Sequence, residues 1–400
     1  MADSHSTNDP IPRPASASSG RVAGLDTLRA LAIVLVFAYH YQIFVSGAPT
    51  FGWFGAAGWV GVDLFFVLSG YLIAHQLLVG TMQRRVISLR GFWSRRWLRT
   101  LPAYGLVLAV YWTWPNEMGG RTPPPLWRFL SFTQNFELEP GTAFSHAWSL
   151  CVEEQFYLLL PLLLITGQRL GLGRRSGWLL LALGVGVGVS ARALLWTRHG
   201  LESTDIDHYY PAIYYASLCR FDELLPGVAL ALLQQTQPLV WSALLARGRT
   251  LLVIGGLAVA FMLWAVINHY YVEGLGYPFA MTAFGYSGVA WAFALLVAAA
   301  LSPASALHRW QVPGAASLAR WSYAIYLSHK AVGHLLAAPL APLGEALRWP
   351  LVALASVAVG ALIYHAVERP FMRWRDAHAP DNFRPLKAAG GLAPPAGLGA

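Results

Sequence analysis

The chain has 400 residues, of which 56% are hydrophobic and only 12% charged, against the roughly 25% charged residues of soluble domains. That balance excludes an ordinary soluble globule and points to a polytopic membrane protein. The net charge of +9 is not a nucleic-acid signature, because the arginines fall between apolar stretches and mostly on one side of them, the positive-inside pattern.

Residues 1–20 are rich in Ser, Pro, Ala and Asp and lack the apolar core of a signal peptide, which predicts a disordered cytoplasmic tail. The first helix then acts as an uncleaved anchor. Apolar runs near 20 residues predict about ten spans: 25–45, 58–79, 97–114, 148–168, 177–196, 218–236, 250–268, 278–301, 317–339 and 348–370. Charge alternation supports the count. Segments assigned inside hold Arg13 and Arg21; Arg84, Arg85, Arg90, Arg95 and Arg96; Arg169, Arg174 and Arg175; Arg247 and Arg249; Arg309; and Arg373, Arg375, Arg384 and Lys387. Those assigned outside hold Arg121, Arg128, Arg198 and Arg348 alone. The fold class is therefore all-α with both termini cytoplasmic, a membrane domain over 21–375, and a Pro- and Gly-rich tail over 376–400 that is expected to be disordered.

The first span carries Arg29 near its start and His40 near its end. Eleven positions at about 100° each end about 20° past three full turns, with an axial rise of about 16 Å. Both side chains therefore point the same way at different depths. Ionisable groups inside a span are costly and mark function by default, although Arg29 could also snorkel to the headgroups.

In the second span, Asp63 falls near the outer interface and the small Ser69–Gly70 pair near mid-membrane, where small residues permit close approach of a backbone or a ligand. At the cytoplasmic entrance to the third, Arg96 and Arg99 share a helix face. With Arg29 at similar depth they form either a positive-inside anchor or a phosphate-binding cluster, which guanidinium forks suit.

The fourth span opens with His146, Trp148 and Ser149 and continues to Glu153 and Glu154, two carboxylates about 100° apart on a helix entering from outside. Glu153 is expected at the depth of His40, and a histidine with a nearby carboxylate is an acid/base pair. Further on, Arg220, Asp222 and Glu223 fall within four residues, as an internal ion pair or as contacts to a polar acceptor. Tyr323, Tyr326, His329 and Lys330 form a polar stripe in the ninth span, and Glu368 ends the tenth. Cys151 and Cys219 have neither CxxC nor His-rich spacing around them, so packing roles are expected, with no disulfide and no metal site.

These segments together resemble the acyltransferase 3 family of integral-membrane acyltransferases. Arg29 and His40 match its Arg-x10-His motif, Phe65-Phe66-x-x-Ser69-Gly70 its Phe-Phe-x-x-Ser-Gly motif and Arg96-x-x-Arg99 its Arg-x-x-Arg motif. The runs His146-x-Trp148-Ser149-Leu150-x-x-Glu153-Glu154-Gln155-Phe156-Tyr157 and Tyr323-x-x-Tyr326-x-x-His329 also look like family signatures. The likeness covers residues 24 to about 375 in family order, and the stand-alone form without a fused SGNH hydrolase-like domain is expected.

The resemblance implies transfer of an acyl group, foremost acetyl, from cytoplasmic acyl-CoA to a sugar-containing acceptor such as a surface polysaccharide, glycolipid or glycoside, in the inner membrane of a bacterium. The expected catalytic residues are His40, as general base or transient acyl carrier, with Glu153 or Glu154 orienting it. Arg29, Arg96, Arg99, Ser69 and Gly70 are expected at the donor, and Asp63, Trp148, Arg220, Asp222, Tyr326 and His329 at the acceptor. Expected partners are membrane lipid, acyl-CoA and the carbohydrate, with no nucleic acid and no metal. The competing reading is a proton-coupled transporter using His40, Glu153 and Arg29. A second membrane acyltransferase class, with its key histidine late in the chain, would instead rest on His329.

Overall fold

A computed structural model describes residues 22–83, 85–199 and 206–384. The expected tails over 1–20 and from 385 lie outside the described residues. Among those described there are helices and isolated bridges but no strands. The long helices are α1 (Ala23–Tyr41), α2 (Gly61–Met82), α3 (Leu89–Thr113), α4 (Trp148–Arg169), α5 (Arg174–His199), α6 (Leu225–Thr236), α7 (Gly248–His269), α8 (Tyr286–Leu301), α9 (Ala315–Leu340) and α10 (Glu345–Ile363).

Each expected span coincides with one of these helices, but they are not alike. Among the described residues seven helical segments are long and apolar enough to cross a bilayer. An eighth is reached if Ser217–Thr236 and Pro238–Ala246, bent by 113° at their junction, count as one span. The other two, α3 and α9, are 25 and 26 residues long. Their composition, with Arg90, Arg95, Arg96 and Arg99 on α3 and Arg320, His329 and Lys330 on α9, keeps them below that apolarity. They are the helices that carry polar groups into the bundle.

α1 is the hub, packed against α2, α8 and α9. Leu28, Ala32, Ile33, Leu35 and Val36 are buried along it, at the three- and four-residue intervals that face a core. Its regular turns end beyond Tyr41 in a π-helical turn, Gln42–Ser46, a geometry frequent at functional sites. α2 and α6 approach most closely at glycines. A Cβ on Gly70 would lie 2.0 Å from the carbonyl oxygen of Leu224, and one on Gly227 would lie 2.1 Å from that of Val67. Gly70 packs against that backbone, which only its lack of a side chain admits, and it is not among the residues that line the cavity described below.

Of the expected C-terminal tail, residues 376–384 are ordered. An amphipathic helix, Arg369–His378, packs against α3, and the strand-like stretch after it docks by its backbone. Ser88 N–H donates to the carbonyl of Asn382 and Arg384 N–H to that of Val86. Phe383, 8% exposed, fills the space over Gly80, with the Arg85 guanidinium 4.7 Å from its ring centre. An aromatic anchor with paired backbone overrides the low-complexity composition that follows it.

Candidate active site

A cavity of about 550 Å³ opens between α1, α2, α3, α4 and α9, within the size range of small-molecule sites. Four guanidiniums line it, those of Arg29, Arg96, Arg99 and Arg320, together with Gln76, Ser69, Ser149, Glu153, Glu154, Tyr323 and Tyr326. Arg99 and Arg320 are exposed. Arg96 is held with its guanidinium 3.9 Å from the ring centre of Tyr157, while its Nε is buried without a hydrogen-bond partner. The expected donor-side residues thus converge, Gly70 excepted. Arg320 was missed, although its place three residues before Tyr323 put it on the face of the polar stripe.

Glu153 lies inside this basic cavity. Ser69 Oγ donates to Glu153 Oε1 at 2.8 Å and Tyr157 OH to Oε2 at 3.3 Å, so both carboxylate oxygens are engaged on the arginine side. Glu154 lines the same cavity and is 5% exposed. The expected contact of either with His40 is absent among the described residues. The depth argument put Glu153 level with His40, but it is His146, seven residues earlier, that stands beside His40, and Glu153 lies about 10 Å further along the helix, among the arginines.

His40 belongs to a second cluster. Its Nδ1 lies 2.7 Å from Nε2 of His329, with the rings stacked at 5.0 Å between centres. His146 stands edge-on to both, at 6.2 Å from His40 and 5.6 Å from His329. Lys330 Nζ sits 4.0 Å from the ring centre of Phe44 and 3.5 Å from Ser145 Oγ. Tyr326 joins the two clusters. It lines the basic cavity, shares a 2.6 Å bond with Ser149 Oγ, and donates to the carbonyl of His146 at 2.5 Å. His329 follows one turn along α9.

The other residues expected at the acceptor lie away from the cavity. Arg220, Asp63 and Glu223 are fully buried and mutually paired: Arg220 Nη2 lies 3.1 Å from Asp63 Oδ1, and the guanidinium also pairs with Glu223. Arg220 is further enclosed by the rings of Trp148, Tyr214 and Tyr286. Asp222 faces the other way, to Arg192, at 2.6 and 2.9 Å, and accepts from Ser287 Oγ at 2.5 Å. None of Asp63, Trp148, Arg220 and Asp222 lines the cavity. The internal pairing of Arg220 with Glu223 is the arrangement present. Arg192, 0% exposed on α5, was overlooked; the signal was an arginine inside the otherwise apolar run 177–196. Cys151 and Cys219 are free and buried.

A many-span helical membrane protein with a polybasic cavity beside a histidine cluster is the class that fold and geometry define. Residues 22–365 match the model of the family described as "Acyltransferase domain", acyltransferase 3, and the chain belongs to that family. It is 29% identical over 376 residues to YrhL of Bacillus subtilis, provisionally named a peptidoglycan O-acetyltransferase, covering 87% of this chain and 54% of that one. It is 32% identical over 227 residues to the peptidoglycan O-acetyltransferase OatA of Listeria monocytogenes, covering 52% of this chain and 33% of OatA. The chain thus spans about half of YrhL, and the OatA match about a third of OatA. No solved structure matches.

Proposed function

We propose that this protein is a bacterial inner-membrane O-acyltransferase that moves an acetyl group from cytoplasmic acetyl-CoA to a hydroxyl of a cell-surface glycan, with the peptidoglycan sugars acted on by its named relatives as the first acceptors to try. The observation that carries this reading is the gathering of Arg29, Arg96, Arg99 and Arg320 in one cavity whose far wall, Tyr326, abuts the histidine cluster around His40. Four converging arginines against two carboxylates, Glu153 and Glu154, give the cavity a positive excess that suits a polyanion. The phosphates of a coenzyme A thioester supply one, and guanidinium forks suit them.

The positive-inside bias puts the arginine end of the cavity at the cytoplasmic face. From there the thioester arm runs toward Ser69, Ser149 and Tyr326. His40 accepts the proton of the acceptor hydroxyl as that oxygen attacks the thioester carbonyl; the C–S bond breaks and the coenzyme leaves as its thiol. At the end of the cavity the Tyr326 O–H is given to the His146 carbonyl and the Ser149 O–H to Tyr326, so each would turn from that partner to donate to the oxyanion.

The test is turnover of acetyl-CoA by purified protein in liposomes with and without peptidoglycan fragments, for wild type and His40→Ala. Wild type is expected to release free coenzyme A and to label the glycan, and the variant to bind the donor but release none. Protein that binds acetyl-CoA but labels no glycan has another acceptor. Protein that neither binds nor cleaves acetyl-CoA, and instead moves protons across the liposome, is a transporter, and the proposal fails.

A further inference from the structure

We propose that His329 is a positioning residue that fixes the tautomer of His40, leaving Nε2 of His40 as the atom that takes the acceptor's proton. This rests on the acyl-transfer reading above, but its own argument is one of hydrogen-bond bookkeeping. His329 Nδ1 lies 3.0 Å from the carbonyl oxygen of Ile325 and 2.9 Å from that of Tyr326. Carbonyl oxygens only accept, so Nδ1 carries the hydrogen. A neutral imidazole has one N–H, which leaves a lone pair on His329 Nε2. His40 Nδ1 faces that lone pair at 2.7 Å. Two lone pairs cannot share so short a contact, so His40 Nδ1 carries its own hydrogen and donates it. The basic nitrogen of His40 is then Nε2.

The surroundings keep this arrangement neutral. His329 is 2% exposed and its neighbours are His146, Lys330, Tyr326 and His40, with no carboxylate bonded to any of these four among the described residues. A second buried positive charge beside Lys330 would be uncompensated and costly. His146 is not a substitute for His329. Its Nε2 is spent on the carbonyl of Leu327 at 3.2 Å, and its buried Nδ1 has no partner.

The proton balance follows. The acceptor O–H proton passes to His40 Nε2, and the resulting imidazolium keeps its Nδ1–H on the lone pair of His329. As the C–S bond breaks, Nε2 returns the proton to the departing sulfur. His329 thus holds the ring in the productive orientation throughout and is the second histidine the step requires, although it exchanges no proton with substrate.

The experiment is ¹⁵N NMR of histidine-labelled protein in liposomes, with the His40 signals assigned by their loss in His40→Gln, alongside kinetics of two variants. In wild type His40 is expected as the Nδ1–H tautomer. His329→Leu should lose that signature and about 10²- to 10⁴-fold in kcat, the scale of a misplaced general base, with KM for acetyl-CoA changed less than about threefold. His329→Gln, whose Oε1 can accept from His40 Nδ1, should recover to within about tenfold of wild type. An Nε2–H signal for wild-type His40 overturns the proposal. So does a leucine variant with wild-type kcat, or a glutamine variant as impaired as the leucine one. If the leucine variant does not fold, the wild-type spectrum and the glutamine variant decide. Wild type that releases no coenzyme A would sink the acyl-transfer reading while leaving the tautomer measurement intact.

Discussion

His40 Nδ1 lies 2.7 Å from His329 Nε2, although 289 residues separate them in the chain. That contact closes the ring of helices around α1: α9 lies against α1 and delivers the partner that α4, carrying both glutamates, does not. The histidine cluster and the basic cavity are therefore adjacent compartments joined by Tyr326, with the donor's charge recognised in one and the proton handled in the other.

Arg96→Ala and Arg99→Ala are each expected to raise KM for acetyl-CoA by about 10- to 100-fold, since a charge-assisted hydrogen bond contributes about 1.5–3 kcal/mol. Because these groups hold phosphates far from the thioester, kcat should change little. Arg320→Ala should behave likewise, and steady-state kinetics in liposomes checks all three. A loss confined to kcat would contradict the assignment.

Glu153→Gln separates the expected role of this residue from its observed surroundings. A carboxylate orienting His40 would show its loss in kcat alone. Glu153 instead accepts from Ser69 and Tyr157 in the arginine-lined cavity. Removing its charge should strengthen the cavity's positive field and lower KM for acetyl-CoA by about two- to tenfold, an effect of 1 kcal/mol or so for a charge pair near about 4 Å.

Arg192 and Asp222 test stability. Both side chains are 0% exposed, so removing one strands the other. Arg192→Leu or Asp222→Ala should cost about 3–5 kcal/mol, read as a fall in thermal midpoint in detergent. Replacing both together with apolar residues of similar volume should restore much of it. Turnover per folded molecule should survive, since neither residue lines the cavity; a folded Asp222→Ala protein with a raised KM would return Asp222 to the acceptor side.

Gly70→Ala is expected to destabilise by about 1–3 kcal/mol as overpacking, because its Cβ would lie 2.0 Å from a backbone oxygen that cannot rotate away. Differential scanning fluorimetry gives the shift. Unchanged affinity for acetyl-CoA in the folded fraction would separate packing from ligand contact.

By itself the sequence determined the membrane class, the position of every long helix, and the polar residues that break apolar runs. Those properties are local: helix length, apolarity and charge bias are carried by consecutive residues. It also brought Arg29, Arg96 and Arg99 together, because charge near one end of several spans fixes a shared depth. The partner of each polar group was decided only in three dimensions. Depth is legible only as well as a span's ends are, and azimuth between helices depends on which helices pack and how they rotate. That is why Glu153 went to the arginines and His40 to His329, why Arg220 and Asp222 close on buried partners, and why Gly70 meets a backbone.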